Sequence, residues 1–454
     1  MAWRLKEEKK DVRNIFNLLK KRDFSSYTGL AIKNSVLQTT TLIISKIGSL
    51  VFTVIIARLL LPELFGLYSL ALSTIILLST FTDLGTSQTL VRYVSLSLSK
   101  KNKGIAKGYL IYLTKIKLIL TFLSIFILLA LAKFISNSYY HKPIFLALIA
   151  GSIYILSNSI ISFIDSIFQS SNNFKSSLYK EIFLQLIRLI IVPIIIIFSL
   201  KKPISIETDL FFIIMSLSLC YLFTMIFFYF LAKKKILFIK SNSKNITKKK
   251  KREMNKFLLS ISALVLSGVF FGYIDMVMLG RFVSGEFIGY YQAAFGLVGA
   301  AAPLITFSAV LFPIFSRINR EKLNRAFDKS FKIIFSLSIL SLLFTFIFAP
   351  LIIKMIYGSE YSTSIPLLRL FSLLFISLSL ISHYSTYLIV KGKQNIVIKL
   401  LIISTILNVI LNYVFIIWLL SYSQFMAVVG AIIATIISRY FYLFALMSYN
   451  KKYS

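Results

Sequence analysis

The chain has 454 residues, of which 57% are hydrophobic and 15% are charged, and its mean hydropathy is +0.83. Soluble proteins are roughly 45–50% apolar and about 25% charged, so this composition excludes a soluble fold and indicates a membrane protein. The 51 Lys and Arg residues outnumber the 16 Asp and Glu residues, which gives a net charge of +35. No polar segment is long enough to form a basic nucleic-acid-binding surface, so no nucleic-acid partner is expected.

Cysteine and histidine are too scarce for metal or nucleophilic chemistry. The single cysteine, Cys220, lies in an apolar run, and His141 and His383 are the only histidines. A disulfide framework, a zinc site or a Ser/His/Asp triad is therefore not expected. We predict no catalytic residue, no metal and no cofactor, and hence a protein that is not an enzyme.

The chain begins with a basic leader, residues 1–34, in which apolar residues such as Leu5 and Phe16 alternate with lysines and arginines. This pattern is typical of a short amphipathic helix on an anionic membrane surface. A second basic segment, 233–255, contains the run from Lys248 to Arg252. We interpret both segments mainly as topology signals, and a role as a lipid-surface or partner patch stays open.

Long apolar runs dominate the rest of the chain. A helix needs about 20 residues to cross a hydrocarbon core of about 30 Å, and continuous rather than alternating hydrophobicity excludes a membrane barrel. The sequence therefore predicts an all-α polytopic membrane protein with about twelve spans. They cover approximately 35–57, 66–91, 109–131, 144–168, 182–200, 209–232, 256–280, 289–315, 331–352, 364–390, 398–419 and 425–447.

The positions of the basic residues predict the orientation of these spans. The large majority of Lys and Arg fall in the terminal segments and in every second loop, the side that the positive-inside rule assigns to the cytoplasm. We therefore expect a multi-pass protein of the cytoplasmic membrane with both termini cytoplasmic. The predicted organisation is a leader, an amino-terminal six-helix bundle, a cytoplasmic linker, a carboxy-terminal six-helix bundle and a cytoplasmic tail, at 1–34, 35–232, 233–255, 256–447 and 448–454.

A short motif recurs after the first span of each half. The first copy has Arg58, Glu63, Gly66 and Tyr68, and the second copy, at a constant offset, has Arg281, Glu286, Gly289 and Tyr291. Six spans per half give both halves the same orientation, which is the arrangement of transporters that work by alternating access around a central cavity. The pair Gly268 and Gly272 in the seventh span predicts either close helix packing or bending there.

An ionisable side chain inside a span is costly and usually faces a wet interior. Lys46 lies near the middle of the first span, on a face of small and polar residues that includes Ser49 and Thr53. We interpret this helix as lining the cavity and presenting a cation. The alternative is a structural pair between Lys46 and a buried carboxylate.

Further charged residues complete the predicted substrate-binding set: Lys46, Lys115, Arg92, Asp83 and Asp275. A cavity with this excess of cations favours an anionic cargo such as a phosphate or pyrophosphate. Asp83 and Asp275 are the candidate partners of Lys46. The carboxylate of Asp83 also leaves open the alternative that the protein exports a cation.

Other polar residues within spans are expected to be structural. We predict a polar stripe along one helix and hydrogen bonds between helices, at Glu181, Gln185, Arg188, His383, Asn408 and Asn412.

The stretch from Asn34 to Ser95 resembles the amino-terminal portion of the polysaccharide-biosynthesis flippases. These are lipid-linked oligosaccharide exporters of the multidrug/oligosaccharidyl-lipid/polysaccharide (MOP) superfamily. The matching residues run from Ala57 to Leu60, from Pro62 to Tyr68, from Asp83 to Gly85, and over Arg92 and Tyr93. The resemblance implies two six-helix bundles around a central cavity that opens alternately to each side. It also implies a polyprenyl-pyrophosphate-linked glycan as cargo.

The predicted function is therefore a flippase that moves a polyprenyl-(pyro)phosphate-linked oligosaccharide to the outer leaflet. A Na⁺- or H⁺-coupled multidrug exporter of the same superfamily is the first alternative, and an integral glycan polymerase or ligase is the second. The expected partners are the lipid-linked glycan and membrane lipids. Na⁺ or H⁺ and other polysaccharide-assembly proteins are further candidates.

Overall fold

A computed structural model describes residues 27–201, 204–306, 311, 315 and 320–453. Over these residues the chain forms helices and contains no strand. The α-helices are α1 Tyr27–Ser79, α2 Thr86–Ser99, α3 Lys103–Lys133, α4 Phe145–Ser170, α5 Phe174–Lys201, α6 Ile206–Lys235, α7 Lys248–Phe282, α8 Gly285–Thr306, α9 Arg320–Ile356, α10 Ser364–Ser372, α11 Leu374–Val390, α12 Gln394–Leu420 and α13 Gln424–Tyr453.

The described residues contain eleven helical stretches that are long and apolar enough to cross a membrane. The first of them, Lys33–Ser99, is 67 residues long and contains two of the predicted spans. The prediction of an all-α polytopic membrane protein with about twelve spans is thus confirmed. Most of the predicted leader, up to residue 26, lies outside the described residues.

The first two predicted spans share one helix that bends sharply between them. Leu61 leaves the helical conformation, with φ 59°, immediately before Pro62. Proline lacks the backbone N–H of the helix ladder and clashes with the preceding turn, so it breaks a helix at this point. The predicted loop between the spans is therefore a bend inside α1.

The second predicted span, 66–91, is interrupted near its end. A short 3₁₀ turn, Thr80–Thr82, follows α1, and Leu84 and Gly85 have positive φ angles of 34° and 81° before α2 begins. The side chain of Asp83 caps the new helix, because its Oδ1 accepts a hydrogen bond of 3.1 Å from the backbone N–H of Ser87. The polar break therefore places Asp83 at the start of a separate helix.

The basic linker is anchored to the amino-terminal half. The backbone N–H of Lys244 donates to the carbonyl of Gly104 at 2.9 Å. Helix α7 begins at Lys248, and Ser262 donates a 2.7 Å hydrogen bond to the carbonyl of Leu84. Farther along, α7 packs against α12 and α13. This one helix therefore joins the two halves.

The two halves meet along α1 and α8, and the candidate site lies in the space between the halves. Helices α1–α6 pack on one another, as do α8–α13. The largest buried cluster contains residues of both halves, including Ile56 and Phe65 of α1 and Ile288 and Ala294 of α8. The backbones of α1 and α8 approach closely at Gly66 and Gly289.

Candidate functional site

A cavity of about 330 Å³ lies between the two halves. Its walls come from α1 of the amino-terminal half and from α7 and α8 of the carboxy-terminal half. The polar and aromatic lining residues include Lys46, Ser49, Thr53, Ser73, Tyr273, Tyr291, Gln292 and Phe295. The cavity is therefore a mixed polar and apolar space at the interface of the two halves.

Lys46 lines this cavity, and its predicted helical face lines it as well. Ser49 and Thr53, one and two turns along α1, are also in the wall. Both ion pairs among the described residues involve other lysines, Lys117 and Lys180. In the described part of the chain, Lys46 thus brings a positive charge to the cavity without a carboxylate partner.

The glycine pair of α7 faces open space. A Cβ atom on Gly268 or Gly272 would have no described neighbour within 4 Å, and Gly272 lines the cavity. Close helix packing, one of the two predicted explanations of this pair, is therefore not what the structure shows at these residues. The missing side chain of Gly272 leaves room in the cavity wall.

Asp83 is paired with Lys117 of α3, at 3.1 Å between Nζ and Oδ1. The hydroxyls of Thr86 and Ser87 also donate to Oδ1, at 2.8 and 2.6 Å. The side chain of Lys117 is 3% exposed and that of Asp83 is 20% exposed. These contacts make Asp83 the centre of a structural pair within the amino-terminal half, apart from Lys46.

Asp275 of α7 is buried among neutral donors that come from three helices. The Tyr291 hydroxyl donates at 3.0 Å, the Asn412 amide donates at 2.7 Å, and the Thr435 hydroxyl donates to Oδ2. In the described part of the chain, the buried Oδ1 atoms of Asn408 and Asn412 have no hydrogen-bond partner. The cluster therefore combines a carboxylate with spare amide oxygens beside the cavity, because Tyr291 also lines the cavity.

The structure does not bring the other two predicted cations to the cavity. Lys115 is exposed on α3, and Arg92 is exposed on α2, with its guanidinium 4.3 Å from the Phe257 ring centroid. Neither residue lines the cavity. Among the five predicted residues, Lys46 lines the cavity and Asp275 adjoins it.

The glycines of the repeated motif bring the two halves into backbone contact. A Cβ atom on Gly66 would overlap the carbonyl of Gly285, and one on Gly289 would overlap the carbonyl of Pro62. Each glycine thus contacts the first turn of the helix segment that carries the other. Only residues without a side chain allow helices to approach this closely.

The two arginines of the motif make equivalent contacts across the interface. Arg58 donates to the carbonyls of Met355 and Ile356 at the end of α9, the Ile356 bond being 2.7 Å. Arg281 donates to the carbonyls of Ser138 and Tyr139, just after α3, at 3.1 and 2.6 Å. Arg58 therefore binds the end of α9 and Arg281 binds the segment that follows α3, each in the opposite half. We call this set of arginine and glycine contacts the closed side.

A lysine and a tyrosine reinforce the closed side. Lys142, in the turn before α4, donates to the Gly280 carbonyl at 2.6 Å, and Tyr361 donates to the Ala57 carbonyl at 2.8 Å. Partial burial and the neighbouring Arg281 guanidinium lower the pKa of Lys142 to about 8. The closed side therefore also contains a group that can change its charge near neutral pH.

Two residues of these clusters do not stand out in the sequence. Lys117 lies in the first half of the third predicted span, two residues after Lys115, and by position alone it does not stand out from that neighbour. A signal for it exists, because Lys117 and Asp83 have opposite charges in adjacent spans. Tyr291 belongs to the repeat motif, and no sequence signal marks it as a cavity residue.

Similar folds occur among solved transporter structures. A multidrug resistance MATE family transporter of the MOP superfamily, in an inward-facing conformation, has a TM-score of 0.70 and 16% identity over 92% of this chain and 99% of that one. The lipid II flippase MurJ in an inward closed conformation has a TM-score of 0.68 and 19% identity, over 92% and 87%. An outward-facing MATE family transporter has a TM-score of 0.63 and 17% identity, over 93% and 96%. No curated protein sequence matches the chain significantly.

The fold and the central cavity define a multi-pass membrane protein with the architecture of the MOP superfamily transporters. The profile of one family, described as "Polysaccharide biosynthesis protein", matches residues 31–319. This match spans more than half of the chain, so the chain belongs to that family. It covers α1 to α8, which include all three helices that line the cavity.

Proposed function

We propose that the protein is a flippase that carries a polyprenyl-(pyro)phosphate-linked oligosaccharide across the cytoplasmic membrane. The observation that carries this proposal is Lys46, a lysine without a carboxylate partner in the described part of the chain, in the wall of the cavity between the halves. An anionic phosphate is the ligand that such a cation favours. Membership of a polysaccharide biosynthesis family and a fold similar to that of a lipid II flippase support a lipid-linked glycan as the cargo.

The orientation of the chain follows from its charge. The basic loops face the cytoplasm, both termini are cytoplasmic, and the closed side faces outward. The cavity then receives cargo from the cytoplasmic leaflet. The higher TM-score against the inward-facing MATE transporter than against the outward-facing one supports this assignment.

A cation or a proton at Asp275 provides the coupling. Carboxylate, amide and hydroxyl oxygens are hard ligands of the kind that alkali and other hard cations prefer, and the cluster offers Asp275, Asn408, Asn412 and Thr435. The same carboxylate can instead exchange a proton. Because Tyr291 joins Asp275 to the cavity wall, occupancy of the cluster affects the shape of the cavity.

The test is glycan export by variants of Lys46. In a strain that depends on this protein, we expect Lys46→Ala and Lys46→Gln to reduce export at least ten-fold and to cause accumulation of lipid-linked oligosaccharide on the cytoplasmic face. Lys175→Gln, which removes an exposed lysine at the start of α5, serves as the control. Normal export by both Lys46 variants would show that the cargo site lies elsewhere.

The Asp275 cluster also favours a second candidate, a cation-coupled multidrug exporter. The fold similarity to MATE transporters is compatible with it. An exporter of this kind would lose drug resistance in Asp275→Asn and keep full activity in Lys46→Gln, which is the opposite of the flippase pattern for Lys46. A glycan polymerase or ligase would require a glycan product to form in vitro from the purified protein.

A further inference from the structure

Arg188 of α5 is a second positive charge behind the cavity wall. Its side chain is buried, with the whole residue 7% exposed, and its Nη2 donates to Ser49 Oγ of α1 at 2.8 Å. Ser49 lines the cavity, three residues from Lys46. Residues three apart on a helix are neighbours on one face. The guanidinium is therefore separated from the cavity by one hydroxyl group, about one helical turn from Lys46.

The contacts of Arg188 are neutral. Its Nε and Nη2 donate to Gln185 Oε1 at 3.0 and 2.6 Å, and its guanidinium lies 4.8 Å from the Phe52 ring centroid. A buried cation within a membrane is costly, and it is usually paired or placed beside an ion pathway. Ring and amide contacts leave the charge of Arg188 unbalanced.

The nearest acid on the same helix is already paired. Glu181 binds Lys180, at 3.0 Å between Oε2 and Nζ. Gln185 stands between the two charges, because its Nε2 donates to Glu181 Oε1 at 2.7 Å and its Oε1 accepts from Arg188. The polar stripe predicted for this helix is therefore real, but its far end is a cation that faces the cavity wall.

We propose that Arg188, acting through Ser49, determines the preference of the cavity for a diphosphate over a monophosphate headgroup. This inference rests on the proposed flippase function. Lys46 binds one phosphate group, and the Ser49 hydroxyl, polarised by the Arg188 guanidinium, donates to the second. Ser49 contacts the cargo, and Arg188 positions and polarises the Ser49 hydroxyl. Arg188 is therefore a specificity residue and not a catalytic one.

Soluble short-chain lipids provide the probes. The full chain in lipid nanodiscs is titrated with farnesyl diphosphate and with farnesyl monophosphate. We expect the wild type to bind the diphosphate about ten-fold more tightly, as one additional charge-assisted contact predicts. Arg188→Gln and Ser49→Ala should bring the two affinities within about two-fold of each other, with the loss falling mainly on the diphosphate. Arg188→Lys should keep part of the preference.

Two outcomes separate this inference from the proposed function. Lys46→Gln should weaken binding of both probes, and unchanged binding of both would contradict the flippase proposal itself. If Lys46→Gln weakens both probes while Ser49→Ala and Arg188→Lys keep the full preference for diphosphate, Arg188 is only structural and the inference is overturned. Ser49→Ala removes one hydroxyl, so this comparison stands even if Arg188→Gln does not fold. Lys175→Gln, on the same helix as Arg188, should match the wild type.

Discussion

The two halves of the molecule carry the same short motif and differ in the charge they present to the cavity. Tyr68 and Tyr291 are matched residues of the repeated motif, and both are buried. The hydroxyl of Tyr291 binds Asp275, whereas the hydroxyl of Tyr68 has no hydrogen-bond partner in the described part of the chain. The amino-terminal half instead brings Lys46 to the cavity wall. The two halves thus bring opposite charges to the region of the cavity, a cation from one half and a carboxylate from the other.

The buried carboxylates of the two halves differ in the groups that bind them. Asp83 has a lysine partner at 3.1 Å, and Asp275 has neutral hydroxyl and amide donors. A carboxylate paired with a lysine is fixed in its charged form, whereas one among neutral donors can exchange a cation or a proton. From this difference we propose that Asp83 maintains structure and that Asp275 serves function.

The largest effect expected from this comparison is on stability. Asp83→Asn leaves the Lys117 charge buried without its partner, which should lower the free energy of unfolding by about 3 kcal/mol. Asp275→Asn keeps a similar shape and breaks no direct ion pair among the described residues, but it removes the charge that acts on the buried Arg439 guanidinium, so we expect a smaller loss of about 2 kcal/mol. Thermal unfolding of the purified protein in detergent measures both. Adding Lys117→Met to Asp83→Asn should recover part of the loss, and a larger loss for Asp275→Asn than for Asp83→Asn would reverse our assignment.

A smaller and symmetric effect is expected at the glycines of the closed side. Gly66→Ala and Gly289→Ala each place a Cβ atom against a backbone carbonyl of the other half, which no side-chain movement relieves. We expect each to destabilise the closed side by about 2 kcal/mol. The measurement is the rate at which a membrane-impermeant maleimide labels Ala57→Cys in a Cys220→Ser background. This rate should be higher when either glycine variant is added.

The control for the glycine variants is Gly268→Ala. A Cβ atom there meets no described neighbour within 4 Å, so the labelling rate should not change. A strong effect of Gly66→Ala with none of Gly289→Ala would mean that the two repeats do not close the interface together.

The smallest expected effect concerns Lys142, which has no counterpart lysine on the other half of the closed side. Its pKa falls from the ordinary value of 10.5 to about 8 in the folded protein. Between these values the unfolded chain binds more protons than the folded one, so this residue makes the protein more stable as pH rises from about 8 to 10.5. Lys142→Met should reduce the difference in unfolding temperature between pH 8 and pH 10. Lys133→Met, at an exposed lysine, should leave that difference as in the wild type, and an equal reduction in both variants would contradict the role of Lys142.

Much of the fold can be predicted because it depends on local composition. Apolar runs of spanning length locate the membrane helices, and the polar face around Lys46 indicates a cavity wall from the sequence alone. The break before α2 is harder to foresee, although Asp83 and Gly85 are residues that favour a helix start and a left-handed turn. Pairing between helices is the hardest part to predict. Opposite charges in adjacent spans make Asp83 and Lys117 candidate partners, but one sequence does not select this pair over others or show that Asn412 contacts Asp275.

The arginine contacts of the closed side have a consequence for which substitutions the protein tolerates. Arg58 and Arg281 bind peptide carbonyls, and every residue type supplies a carbonyl. Substitutions at the acceptor positions 138, 139, 355 and 356 therefore leave the acceptors in place, while replacement of either arginine removes the donor outright. A saturation-mutagenesis map of the closed side should show two intolerant positions, the arginines, and four permissive ones, the acceptors. In each of these hydrogen bonds the donor is a side chain and the acceptor is a backbone group that every residue has.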